Sequence, residues 1–292
     1  MFVLAHLSDL HMALRPRLLE LAGKRGLGYI NWHRGRKYIH RHETLDAITR
    51  DLRTVGADHI AVTGDLVNLS LPIEYAAARA WLETLGPPHD VTVIPGNHDA
   101  YVPAASGGPE KAWGDYMRGD DGAPSGTFPF VRRRDGVALI ALCSGVPTGP
   151  FMATGLVGEA QLSRFAQALE QTSGLFRVVL IHHPPESPPS RHLRRLVDGA
   201  EFRQVLAAHG ADLVLHGHDH CRAILWLDGP DKKIPAIGAP SASARTAHRH
   251  ENAAGYNLFQ IAMQGNAWRC EMVARERSGD GSVSEVERQV LL

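Results

Sequence analysis

At 292 residues and 44% hydrophobic, the chain has material for a substantial core, expected as one large domain over residues 1–292. Its 31 Lys and Arg residues match its 31 Asp and Glu, so no overall field recruits nucleic acid or an anionic membrane, and any such attraction is local. Three widely spaced cysteines, Cys143, Cys221 and Cys270, odd in number and without CxxC spacing, imply neither a disulfide framework nor a thiolate zinc site, and fit a reducing cytoplasm.

The first residues, "MFVLAHLSDLH", lack a charged start and a cleavable apolar run. No segment reaches about 18 uninterrupted apolar residues, the rough length of a membrane span, so a soluble protein is expected. Residues 3–7 read as a buried strand, followed along the chain by 59–63, 91–94, 137–142, 178–181 and 212–215. Between several of them run the amphipathic patterns "HETLDAITRDLRTVG", "PIEYAAARAWLETLG", "GEAQLSRFAQALEQT" and "AEFRQVLAAHG", each ending at a glycine or polar turn as helices do. This alternation predicts an α/β fold. After Cys221, "RAILWLDG", "KIPAIG" and "YNLFQIAMQG" have no helix between them and read as antiparallel strands finishing a second sheet. "VPAASGGPE" and "MRGDDGAPSGTFP" read as loops, and "SGDGSVSE" as a mobile segment.

Histidine is the compositional outlier, at 17 residues. Just after the predicted strands come "SDLH" with Asp9 and His11, "GDLVN" with Asp65 and Asn68, "GNHD" with Asn97, His98 and Asp99, "HHPP" with His182 and His183, and "LHGHDH". In open α/β sheets, sites form beyond the carboxyl ends of the strands. Each motif alone is weak, but independent turns have no reason to end in carboxylate, imidazole or amide every time. Strand alternation would put His216, His218 and His220 on one face. Carboxylate with imidazole suits Zn, Mn, Fe, Co or Ni better than Ca or Mg, and there are donors for two ions about 3.5 to 4 Å apart.

In this order, the motifs resemble the calcineurin-like metallophosphoesterase superfamily, over roughly residues 3 to 240. The resemblance implies a four-layer α-β-β-α sandwich of two mixed β-sheets with a dinuclear centre at one edge. By position it assigns Asp9, His11 and His220 to one divalent ion and Asn97, His182 and His218 to the other, with Asp65 bridging. His182 is favoured over His183, and His216 becomes a packing residue. The cofactors are then two transition-metal ions such as Mn, Fe or Zn. The implied activity is that of a bacterial phosphodiesterase, in which a hydroxide bridging the ions attacks phosphorus in line. His98 would stabilise the transition state or protonate the leaving oxygen, with Asp99 orienting its ring. "GAPSAS", residues 238–243, resembles a segment of family phosphodiesterases and reads as a plain turn.

Residues 13–42 form an insert with eight Lys and Arg against the single acid Glu20, interleaved with Tyr29, Trp32 and Tyr38. Following Asp9 and His11 directly, it is expected to stand over the metals as a lid that attracts an anionic substrate, or to meet an anionic lipid surface at the inner face of the membrane. The bland alternative is a hairpin packed on the core. One insert is too narrow a groove for a nuclease. The expected substrate is a small or lipid-like phosphodiester, with UDP-diacylglucosamine pyrophosphate and cyclic nucleotides as alternatives. From another class, a non-catalytic scaffold such as the retromer subunit shares the fold, but such proteins tend to lose ligands that are all present here.

Overall fold

β1 (Phe2–Leu7) is apolar because little of it meets water: a parallel neighbour pairs on one side, an antiparallel one on the other, and Leu4, Ala5 and Leu7 are fully enclosed. The structure, a computed structural model, describes residues 1–12, 16, 20, 21, 23–103, 107–248 and 250–292, excepting the side chains of 31, 34, 36 and 37. After β1 come α1 (Lys24–Asn31), a wider helical turn over Trp32–Arg36, α2 (Lys37–Ile39) and α3 (His42–Val55). β2 (His59–Val62) and β3 (Val91–Val93) continue the sheet in parallel, connected by α4 (Pro72–Leu85). Ile48 and Leu52 of α3 and Trp81 and Leu82 of α4 pack into the same core as these strands.

α5 (Gly108–Trp113) leads to the hairpin β4 (Phe130–Arg134) and β5 (Val137–Ala141). β5, β6 (Phe176–Leu180) and β7 (Leu213–His216) are parallel, crossed by α6 (Glu159–Gln171) and α7 (Gly199–His209). Side chains alternate between two cores: Leu139, Val178 and Leu180 face the first sheet, while Ile140, Val179 and Val214 face Phe165 and Phe202 of the helices. Arg132 of β4 fastens the two sheets at one edge. Its buried guanidinium donates to the carbonyls of Pro88 at 2.6 Å, Val91 at 2.7 Å, Arg118 at 2.8 Å and Asp115 at 3.1 Å.

The closing strands depart from expectation. β8 (Ala223–Leu227) and β9 (Ile234–Gly238) join the second sheet, but β9 lies parallel to β7. β10 (Gly255–Gln264) returns to the first sheet, antiparallel to β1 with Phe259 opposite Leu4, followed by β11 (Ala267–Arg277) and β12 (Val283–Val290). The apolar pattern identifies β10 as a strand but says nothing about which open edge it covers. "SGDGSVSE" is a turn running into β12, held by Ser278 N–H on the Ser282 carbonyl at 2.8 Å. β12 carries Glu285, Glu287 and Arg288, with Arg288 on Glu271 at 2.8 Å, the charged dress of an edge strand.

The strand orders are thus β12-β11-β10-β1-β2-β3 and β4-β5-β6-β7-β9-β8, two mixed sheets with helices outside both. Among the described residues no helix is long and apolar enough to cross a membrane.

Glu74, in the first turn of α4, gives a pH test of this frame. Its carboxylate accepts N–H groups from Leu69 at 2.9 Å and Leu71 at 3.0 Å, yet burial raises its pKa from 4.5 to about 7, the backbone donors opposing only part of the rise. The folded chain therefore holds a proton that the unfolded chain releases, and this contribution is full below pH 4.5 and lost as pH rises through 7. Glu74→Gln is expected to abolish a decline on the order of 2 to 3 kcal/mol in unfolding free energy, read from urea midpoints at pH 5 and pH 8. An unchanged decline would place its source elsewhere.

Candidate metal centre

The parallel strands of both sheets end at one edge, where their loops are stitched by backbone hydrogen bonds. Asp9 N–H meets Gly64 O at 3.0 Å, His11 N–H meets Asp65 O at 2.9 Å, and Gly217 N–H meets His182 O at 3.0 Å. Asp9, His11, Asp65, His218 and His220 all have positive φ, between 46° and 70°. Such residues cost about 1 to 3 kcal/mol each and persist only where surrounding structure dictates them. Strand alternation therefore stops at His216, and His216, His218 and His220 do not share a face. The His216 ring is buried and its Nδ1 donates to Gly217 O at 3.3 Å. Two glycines allow the crowding: a Cβ on Gly96 would overlap the Asp65 carboxylate, and one on Gly217 would overlap Ser8 and Asp9.

All seven predicted ligands converge, and all are buried. His220 Nε2 lies 3.2 Å from Asp9 Oδ1 and 2.9 Å from His11 Nε2, which is 3.7 Å from Asp9 Oδ1 and 3.9 Å from Asp65 Oδ2. On the other side of Asp65, Oδ2 lies 3.5 Å from His182 Nε2, and Asn97 Oδ1 is 3.2 Å from that nitrogen and 2.9 Å from His218 Nδ1. Asp65 thus stands between two groups of donors.

Lone pairs at these separations need positive charge among them. Burial opposes charge on the imidazoles, yet Asp65 beside His182 and Asp9 beside His220 outweigh it and raise both to about 9. Burial likewise pushes Asp9 and Asp65 up, but the same pairings hold both below the usual carboxylate range. Carboxylate, amide oxygen and imidazole in this arrangement fit a pair of borderline divalent cations. Outer partners aim the rings: His182 Nδ1 donates to Thr63 O at 2.6 Å, and His220 Nδ1 lies 3.4 Å from Glu251 Oε2. His183 is 4.5 Å from the His218 ring and one of its nitrogens lies within 4.8 Å of nitrogens of His182 and His218, but both of its nitrogens have other partners, Ser144 Oγ at 2.8 Å and Ala153 O at 3.2 Å.

His98 lies beside the cluster. Its N–H donates to Asp65 Oδ1 and its Nδ1 to Asn68 O, both at 2.7 Å, and its ring stacks on Tyr101 at 5.4 Å and stands edge-on to His11 at 4.9 Å. Asp99 does not orient that ring. Its carboxylate folds back onto the N–H groups of Asp65 and Gly96, both at 2.8 Å, and Val67 at 3.1 Å. It is a clamp on the Asp65 loop, and burial, with the Asp65 charge second, raises its pKa to about 7. The ring of His98 is instead held by the Asn68 carbonyl, a backbone role that no side-chain pattern announces.

The insert reaches both flanks of the centre. On one side, a cavity of about 640 Å³ opens on Asn97 and His98, walled by Leu27 and Ile30 of α1, Tyr101, Phe151, Met152 and Arg194. Lys24 Nζ sits 4.3 Å above the Tyr101 ring and donates to Thr148 O at 3.0 Å, while Arg25 donates to Leu69 O at 3.1 Å and Ser70 O at 2.6 Å. Both charges help dock α1, and Lys24 also lines the cavity. The side chains of Arg34, Arg36 and Lys37, and residues 13–15, 17–19 and 22, lie outside the described residues. On the other side, His40 Nδ1 meets Ser243 Oγ at 2.8 Å, with its ring 4.7 Å from that of His11. The "GAPSAS" serines do more than turn the chain, since Ser241 Oγ also donates to Asp9 O at 2.6 Å. His40, Tyr101 and Glu251 belong to this site without any spacing signal to mark them.

A family model for calcineurin-like phosphoesterases matches residues 2–222. The chain is 29% identical over 233 residues to a probable cyclic nucleotide phosphodiesterase of Synechococcus sp., covering 77% of this chain and 80% of that one. Among solved structures it is similar to a purple acid phosphatase from yellow lupin, Lupinus luteus (TM-score 0.61, 12% identity, 97% of this chain and 52% of that one). It is also similar to the NAD nucleotidase of Haemophilus influenzae (TM-score 0.51, 12% identity, 98% and 53%). The chain spans about half the length of these two solved chains, and the likeness to them is one of fold. With the family model covering three quarters of its length, the chain belongs to the calcineurin-like phosphoesterases, a family of metal-dependent phosphoester hydrolases.

Proposed function

We propose that this chain is a phosphodiesterase working as one domain, in which Asp9, His11 and His220 hold one divalent ion, Asn97, His182 and His218 hold a second, and Asp65 serves both. The observation that carries this is the convergence of buried lone pairs on both sides of Asp65, next to a cavity roomy enough for an esterified group. When bound, such a pair of Mn, Fe or Zn ions supplies Lewis acidity that offsets phosphoryl charge and makes water acidic near neutrality.

The protein's own groups do the rest. Asn97 and His98 border the cavity, so a diester seated there has its leaving oxygen beside the His98 ring. With Nδ1–H committed to the Asn68 carbonyl, a proton taken up at Nε2 is the one His98 hands to that oxygen. One oxygen of the Asp65 carboxylate accepts the His98 backbone N–H and so fixes the position from which the ring extends. Asp99 keeps the Asp65 loop in its left-handed conformation. Arg194 and Lys24 place positive charge on the wall that receives an anionic substrate.

Cyclic nucleotides are the first candidate substrates, supported by the Synechococcus relative's name and by the Tyr101 ring on the cavity wall. A diester with an acyl or other apolar arm is the second reading, favoured by Leu27, Ile30, Phe151 and Met152 exposed at the mouth. Purified protein loaded with Mn, Fe or Zn is expected to turn over a 3′,5′-cyclic nucleotide with kcat/KM at least about tenfold above p-nitrophenyl phosphate. Preference for an acylated diester would select the second reading, and activity confined to monoesters would end the diesterase proposal.

A further inference from the structure

The geometry points to a second substrate subsite, beyond His40, that receives the arm of the diester that does not leave. This rests on the phosphodiesterase reading above. An acyclic phosphodiester carries a separate group on each ester oxygen, and the cavity at His98 accounts for only one. A separate cavity of about 370 Å³, within the usual range of small-molecule sites, is lined by His11, Trp32, His40, Arg41, Leu45 and Ser243. The two cavities are joined across the metal centre by a row of rings. Tyr101 and His98 are 5.4 Å apart, His98 and His11 4.9 Å, and His11 and His40 4.7 Å. One nitrogen each of His11, His40 and His220 lies within 4.8 Å of the others, so a group held at the centre meets His40 on the flank away from Tyr101.

This flank is built firmly. His40 Nδ1 meets the hydroxyls of Ser243 at 2.8 Å and Ser241 at 3.3 Å. Arg41 N–H is bound to Ser243 O at 3.0 Å, and Arg245 N–H to Ile39 O at 2.8 Å. Ser241 in turn holds the carbonyl of Asp9, so the wall is tied to a predicted ligand's own peptide. The end of the insert and the "GAPSAS" loop thereby acquire a shared purpose. The chemistry of the walls selects the arm: Trp32 offers an aromatic face, itself stacked on Tyr29 at 5.6 Å, Leu45 an apolar floor, and Arg41 and His40 polar donors at the edge. A planar ring with hydrogen-bond acceptors matches these walls.

The test varies only that arm. p-Nitrophenyl phosphate, methyl p-nitrophenyl phosphate and bis(p-nitrophenyl) phosphate share a leaving group and differ in having no second arm, a methyl, or a planar ring. The full-length metal-loaded protein is expected to favour the bis ester over the methyl ester in kcat/KM. Trp32→Ala, His40→Ala and His40→Gln are each expected to shrink that preference about tenfold through KM, with metal content measured in parallel. A preference unchanged in all three variants overturns the subsite. So does loss of metal in both His40 variants with the preference intact in Trp32→Ala, because His40 would then serve the metals alone. Wild-type protein inactive on both diesters would instead refute the phosphodiesterase reading itself.

Discussion

Asp65→Asn is expected to lower bound metal from two equivalents to below one and phosphodiester turnover by about 10³-fold or more. Asp65 Oδ2 faces His182 Nε2 at 3.5 Å and His11 Nε2 at 3.9 Å, so its carboxylate addresses both donor groups. Asparagine has the same shape and can keep an oxygen on the His98 N–H, but it brings no charge. The loop should keep its course, since the Asp99 clamp acts on backbone N–H groups that the substitution leaves in place. Losing about 4 kcal/mol of charge stabilisation corresponds to the stated rate effect. Metal analysis and turnover on the same preparation check it. Loss of one ion with the other retained at full occupancy would show that Asp65 belongs to a single ion.

His98→Ala is expected to cut turnover by roughly 100-fold or more while leaving metal content close to wild type. The His98 backbone N–H, which binds Asp65, survives in alanine, whereas the ring that stacks on Tyr101 and borders the cavity does not. If the ring delivers a proton to the leaving oxygen, the defect should be smaller for p-nitrophenyl esters, whose leaving group needs little protonation, than for alkyl esters. An equal defect on both, with metal intact, would make His98 an electrostatic stabiliser only. Loss of metal would make it a ligand.

The convergence of the seven proposed ligands was legible because each lies in a short loop directly after a buried strand, and parallel strands leave such loops no choice but one edge. Asp9, Asp65 and Asn97 are brought together by strand pairing, with no sequence proximity needed. The outer residues were less legible. Asp99 sits beside His98 in the chain, and adjacency suggested an imidazole partner, but a carboxylate near a tight turn is drawn to the unpaired N–H groups of that turn, here those of Asp65, Val67 and Gly96. His40 and Glu251 reach the centre from elements whose position depends on tertiary packing. Nothing in their local sequence separates them from surface residues. The same limit explains β10: Tyr256, Leu258, Phe259 and Ile261 mark a strand, yet only the open edge of β1 decides where it pairs. β12 escaped because its alternation is of charge and small polar residues, with Val283, Val286 and Val290 too sparse to read as a core face.

The central claim is that two cations occupy one cluster, with Asp65 between them. Crystals of the wild-type chain grown with excess Mn, with anomalous diffraction measured at the Mn edge, test it most directly. Two peaks per chain are expected, one beside Asp9, His11 and His220 and one beside Asn97, His182 and His218, with Asp65 adjacent to both. A single peak, or none at these residues with saturating metal, would contradict it.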